Sequence, residues 1–300
     1  MEPWIALTIT AAFLQNLRSV GQKALKSAMG TTGATFVRFG FGLPFAALAV
    51  LLLVKTGHGP LPGVPGDFLV WIVLGGLAQI AATALLVHLF SFRNFAVGTA
   101  YSRTEPAQAA IIALLLLGET TSMATLVAIG ISVAGVVLIS VARTPMTARN
   151  MLLTTFSRTS MIGIASGTLF ALCSVSYRAA SLSLGGPNAL MQACWTLLWT
   201  VSFQTIVMLV WMAWRERAEF GRIARAWKGS LFTGFVGASC SICWFTAMTL
   251  QKTPLVKAVG QVELLFTFAA TVFYFRERMN TREVCGCLLI VAGILALVLI

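Results

Sequence analysis

Apolar stretches long enough to cross a membrane follow one another along almost the whole chain. A spanning helix needs about 20 apolar residues, and only short polar breaks separate these stretches. Only 10% of the residues are charged, where a soluble domain carries about 25%. The sequence therefore predicts an all-α integral membrane protein of about ten transmembrane helices.

A basic and polar segment at residues 143–159 divides these spans into two groups of five, in residues 1–142 and 160–300. The predicted spans are 3–22, 32–54, 67–90, 95–117, 121–141, 160–182, 188–213, 229–250, 254–275 and 281–300. Because five is odd, the second group enters the membrane in the opposite direction. We therefore expect two inverted five-helix repeats around a central cavity, a plan common among transporters.

Landmarks recur in the two halves at a constant spacing of 158 residues. The pairs are Glu105 and Glu263, Glu119 and Glu277, and Ala134-Gly135 and Ala292-Gly293. The chain has only nine acidic residues, so chance does not readily produce this register. It indicates an internal duplication.

The formal net charge of +12 does not indicate nucleic-acid binding, because the basic residues lie mainly in short loops. The positive-inside rule accounts for such a bias, and it places the more basic loops in the cytoplasm and both termini outside. The six cysteines lie in apolar segments and the two histidines are far apart. We therefore expect no metal and no cofactor.

Glu105 and Glu263 lie well inside the fourth and ninth predicted spans. An ionisable side chain at membrane depth is costly and marks a candidate functional site. Two interpretations stay open: the carboxylates bind solute or exchange protons in the cavity wall, or each accepts a hydrogen bond across helices and fixes its own helix. Arg103 is two residues from Glu105 and faces elsewhere, so it is not an obvious partner.

Other polar or aromatic residues within the spans are candidates for the cavity wall. They are Gln15, Arg18, Gln79, Arg103, Tyr177, Trp244, Lys257 and Gln261. Four further residues have expected structural roles. Glu119 and Glu277 follow a span and suit the N-terminus of the next helix, while Pro44 and Pro106 break helices.

The stretch YSRTEP at residues 101–106, the Gly-Glu pair ending at Glu119 and the Arg-Glu pair ending at Glu277 resemble the EamA repeat of the drug/metabolite transporter superfamily. The second half departs in having Leu264 where a proline is usual after the glutamate, and Arg276 where a glycine is usual before the last one. The resemblance implies ten helices in two inverted halves and export of small metabolites or amino acids. It also implies cytoplasmic termini, so it and the charge count disagree about orientation.

These observations favour a secondary transporter in a bacterial inner membrane, a monomer or a homodimer, that exports small metabolites such as amino acids by alternating access. A proton-coupled exporter of cationic aromatic drugs and a non-transporting membrane partner are the alternatives. An enzyme is not expected, because no clustered nucleophile and base or metal-ligand pattern occurs.

Overall fold

The computed structural model describes residues 2–89, 101–141, 158–186, 188–266 and 280–299, and its regular secondary structure there is helical. The helices are α1 (Pro3–Leu25), α2 (Thr31–Gly40), α3 (Leu43–Lys55), α4 (Gly66–Leu89), α5 (Glu105–Leu117), α6 (Met123–Val141), α7 (Arg158–Ser183), α8 (Ala189–Arg215), α9 (Ala218–Arg225), α10 (Trp227–Leu250), α11 (Thr253–Val259) and α12 (Thr281–Leu299).

Six stretches of the described chain are long and apolar enough to cross a membrane, with α2 and α3 counted as one. Helix α1 is long but is not among the six. Its second half carries Gln15, Asn16 and Arg18, which lower its hydropathy. Polar groups in a helix of spanning length need partners or a water-filled space inside the protein.

The chain packs as two compact units, and these are not the two sequence repeats. Unit one contains Met1–Ile80 and Cys173–Gln251, and unit two contains Ala81–Leu172 and Lys252–Ile300. Each unit therefore draws helices from both halves of the sequence, and the boundary between units falls within α4 and α7. In unit one α1 packs along α10, and in unit two α6 packs along α12.

Glycines bring the backbones of α6 and α12 together in unit two. A Cβ atom on Gly286 would lie 2.7 Å from the carbonyl oxygen of Gly135, and one on Gly135 would lie 2.6 Å from the carbonyl oxygen of Gly286. Further along the same two helices, a Cβ on Gly293 would lie 2.8 Å from the backbone nitrogen of Ser132. Small residues allow such close approach between membrane helices.

The second predicted span, residues 32–54, is two helices rather than one. Helix α2 ends at Gly40 and α3 begins at Leu43, with Pro44 in the first turn of α3. Proline suits that position, since the first turn has no helical partner for its missing N–H.

A short helix that the sequence did not predict, α9, lies between α8 and α10. Its buried Glu219 accepts a hydrogen bond from the backbone N–H of Gly30, 2.9 Å from Oε2. The side chain of Arg222 donates to the same carboxylate. The loop after α1 is therefore fixed to the segment between α8 and α10.

Candidate functional site

Unit one contains a buried group of polar side chains centred on Tyr177 of α7. Its hydroxyl oxygen lies 3.0 Å from both the carbonyl oxygen of Gly75 and Oε1 of Gln79. Gln204 of α8 donates from Nε2 to Gln79 Oε1 at 2.8 Å. Gly75 makes room for the ring, because a Cβ there would lie 2.6 Å from Tyr177 Cε1. These bonds connect helices from both halves of the sequence.

A second polar contact of unit one joins α1 to α10. Trp244 donates from Nε1 to Gln15 Oε1 at 3.1 Å, and Trp244 is only 7% exposed. Arg18 follows Gln15 at a spacing of three, so the two share a face of α1.

A small pocket opens between α2, α4, α8 and α10 of unit one. Its polar lining includes Arg38, Gln79, Gln204 and Ser241, and Phe245 stacks there on Tyr177 with ring centroids 4.6 Å apart. The cavity volume is about 10 Å³, which is room for about one water molecule. Two of its helices come from each half of the sequence, so the pocket lies between the repeats.

Unit two holds Glu105 and Glu263, and each is paired with a cation from the other repeat. Arg103 binds Glu263 with both of its terminal nitrogens, at 2.8 and 3.2 Å. Lys257 Nζ lies 2.9 Å from Glu105 Oε1. A bidentate arginine–carboxylate pair of this kind is among the stronger and more directional ion pairs.

The two glutamates, which we expected well inside the fourth and ninth spans, lie next to helix breaks. Residues 103–104 form a turn, and Glu105 is the first residue of α5 with Pro106 behind it. Residues 260–261 form the corresponding turn after α11, and Glu263 is in the helical stretch that follows, residues 262–266. Discontinuous helices at corresponding positions of two repeats are a feature of transporter sites.

Other predicted residues take different places. Gln261 lies in the second of these turns, is 5% exposed, and its Oε1 makes no hydrogen bond with any described residue. At the start of α6 the hydroxyl of Ser122 caps the backbone N–H of Thr125 at 3.1 Å. The backbone N–H of Glu119 bonds to the Ala113 carbonyl, closing the end of α5 beside Gly118, and a capping role for the Glu119 carboxylate stays a prediction. Glu277 lies outside the described residues.

Sequence reasoning did not include Arg38 and Gln204 among the candidate site residues. Both are polar residues within apolar stretches, the signal by which Gln79 was chosen. Arg178, next to Tyr177 in α7, has a structural place: it donates from Nη1 to the carbonyl of Gln251 at 2.8 Å, just beyond the end of α10.

Comparison with known proteins gives a family. A sequence model described as the EamA-like transporter family matches residues 2–141 and again residues 158–299. The chain belongs to the EamA-like transporter family. It is therefore a multi-pass integral membrane transporter of the drug/metabolite transporter superfamily, with the two-repeat architecture of that family. Such a protein requires a lipid bilayer and a small-molecule substrate.

Similarity to a solved structure agrees with the EamA-like fold. A protein known from a crystal structure superposes on this chain with a TM-score of 0.69 at 15% sequence identity. The superposition covers 99% of this chain and 96% of the other. At this identity the similarity concerns the fold alone. No curated protein matches the chain.

Proposed function

We propose that the chain is a secondary transporter that exports small polar metabolites, amino acids among them, across a bacterial inner membrane. The pocket between α2, α4, α8 and α10 is its solute site, with Gln15, Arg18, Gln79, Tyr177 and Trp244 in or around it. One observation carries this proposal: buried polar side chains from both repeats converge on a single pocket of unit one. Polar groups at such depth are expensive and are kept for function.

The size of the pocket supports alternating access. A cavity of about 10 Å³ cannot hold an amino acid, so its helices must separate before a solute enters. Separation toward one side of the membrane and then toward the other moves the solute across without an open channel.

We treat the predicted site residues of unit two as a set distinct from the solute pocket of unit one. They are Arg103, Glu105, Lys257, Gln261 and Glu263. The ion pairs join α5 of the first repeat to the broken helix of the second. Loss of either carboxylate's charge leaves a half-buried cation, Arg103 or Lys257, without its partner, and an unpaired cation that is partly removed from water is costly. This favours the interpretation that the glutamates fix their helices over the one in which they carry protons.

The drug-exporter alternative receives less support from the same contacts. A cationic drug needs an available carboxylate, and Glu105 and Glu263 are each bound to a basic side chain. Besides apolar residues, the pocket of unit one is lined by neutral polar groups and an arginine, and no carboxylate is among its lining residues.

Uptake into proteoliposomes tests the proposal. Labelled amino acids and cationic aromatic dyes are offered with and without a pH gradient, to wild type and to Glu105→Gln and Glu263→Gln. We expect uptake of at least one amino acid and no accumulation of dyes. Any dependence of uptake on the pH gradient should be the same in wild type and in the two variants.

Other outcomes have defined meanings. Dye accumulation without amino-acid uptake supports the drug exporter. Gradient-driven uptake that either substitution uncouples, in protein that still binds solute, makes the glutamates proton carriers. Absence of transport for every compound overturns the proposed substrate class.

A further inference from the structure

Two arginines, one buried and one half-buried, lie beside the pocket of unit one. Arg18 of α1 is 7% exposed, and its Nε and Nη1 make no hydrogen bond with any described residue. Arg38 of α2 lines the pocket itself. The structure therefore places two like charges beside one pocket.

Gly237 of α10 connects Arg18 to the pocket. It is one of the residues that line the cavity. A Cβ atom on it would lie 3.4 Å from Cδ of Arg18 and 3.8 Å from the carbonyl oxygen of Arg38. The side chain of Arg18 thus passes along the wall that Gly237 leaves open.

No carboxylate in the described part of unit one neutralises this pair. Its acidic residues are Glu2, Asp67, Glu216 and Glu219. Three of these have polar partners elsewhere, namely Trp4, Thr32 and the loop at Gly30, and Asp67 is exposed.

A buried cation without a counter-ion is strongly unfavourable, so proteins pair such groups or keep them for ligands. The guanidinium presents its N–H groups in a planar fork that matches the two oxygens of a carboxylate. Nε and Nη1 of Arg18 make no hydrogen bond with a described residue, so each has an N–H group available to an oxygen of a ligand.

We propose that Arg18 and Arg38 bind the carboxylate of the solute, so that the site accepts anionic and zwitterionic solutes and rejects cations. Gln79 and Gln204 then face the rest of the bound molecule, and the Trp244 indole covers the side of the site next to Gln15. The site's role in translocation rests on the proposed transport function, whereas its affinity for carboxylates does not.

Binding to the full-length protein in detergent tests this assignment without requiring transport. The probes are the twenty common amino acids, each compared with its carboxamide, together with benzoate and benzamide. Titration calorimetry gives the affinity, and the melting temperature is recorded without ligand and at saturation. The variants are Arg18→Gln, Arg18→Lys and Arg38→Gln, with Arg225→Gln as the matched control, since Arg225 is exposed in α9 of the same unit.

We expect wild type and Arg225→Gln to bind at least one carboxylate and to bind its amide much more weakly. Arg18→Gln and Arg38→Gln are each expected to lower the affinity for the carboxylate by at least about 10-fold, because hydrogen bonds to a charged group are lost. Arg18→Lys keeps the charge but not the planar fork, so its affinity for the carboxylate is expected to lie between those of wild type and Arg18→Gln.

The melting temperature separates ligand recognition from a structural role. Removing a like charge that lacks a counter-ion should raise the melting temperature of the ligand-free Arg18→Gln and Arg38→Gln proteins while their affinity falls. The assignment is overturned if no carboxylate binds, if amides bind as well as acids, or if both variants bind unchanged. It is also overturned if both variants melt below wild type, as structural arginines would. Binding of this kind without uptake in proteoliposomes leaves the site standing and removes the transport proposal.

Discussion

At the scale of single residues, the two repeat-related glutamates take their partners from each other's repeat. Arg103 of the first repeat binds Glu263 of the second, and Lys257 of the second binds Glu105 of the first. The two pairs differ in strength. The first is bidentate and its carboxylate side chain is 6% exposed, while that of Glu105 is 19% exposed.

Glu263→Gln should therefore destabilise the protein more than Glu105→Gln. Glu263→Gln breaks a bidentate ion pair and should cost about 3 kcal/mol, as for lost hydrogen bonds to a charged group. The single contact of Glu105 with Lys257 should contribute about 1 kcal/mol. Thermal melting in detergent measures the difference. The exchange Arg103→Glu with Glu263→Arg should recover part of the lost stability. Equal stability of Glu263→Gln and wild type would show that the pair contributes nothing.

The sequence identified both glutamates, because the 158-residue spacing placed them at equivalent positions. It did not identify their partners. Arg103 and Glu263 are 160 residues apart, and only the packing of distant segments determines which cation reaches which carboxylate. The sequence predicted Gln79 and Tyr177 as separate residues of the cavity wall. Only the structure shows that they are hydrogen-bonded to each other.

At the scale of helices, hydropathy located the ends of most described spans within a few residues, since apolar length is the property that a bilayer selects. Breaks inside spans were harder to place. Pro106 indicates a break in the fourth span, and the turn at residues 103–104 lies just before it, but a proline does not specify which residues form the turn. Helix α9 is short and charged, and Glu219 joins it to the Gly30 loop, a tertiary contact that local sequence does not encode.

Because α6 and α12 pack closely, two glycine-to-alanine substitutions are expected to change the stability of the protein in opposite directions. At Gly286 the new methyl group would lie 2.7 Å from a backbone oxygen of α6, so Gly286→Ala should destabilise by about 1–3 kcal/mol. Gly130 of α6 has nothing within 4 Å, so Gly130→Ala should be neutral or stabilising by about 0.5 kcal/mol. Melting temperatures of the two variants decide the question. A stabilised Gly286→Ala would contradict the close packing.

At the scale of the whole molecule, the sequence repeats and the packing units differ. Duplication is visible in the sequence because related positions keep related residues, and the family match divides the chain in the same region. Which helices pack together is decided by complementary surfaces, and unit one combines α1, α2 and α3 with α8 and α10. The solute pocket that we propose exists only because of that exchange.

The measurement that tests the central claim most directly is uptake by a variant whose pocket is filled. Ser241 lines the pocket on α10, whereas Leu231 on the same helix is 40% exposed. With an amino acid that wild type carries, Ser241→Leu should reduce initial uptake into proteoliposomes at least about 10-fold, equivalent to about 1.4 kcal/mol, because the larger side chain occupies the space of the solute. Leu231→Phe should transport like wild type, and both proteins should melt within a few degrees of it. Undiminished uptake by a folded Ser241→Leu protein would contradict the claim that solute passes through this pocket.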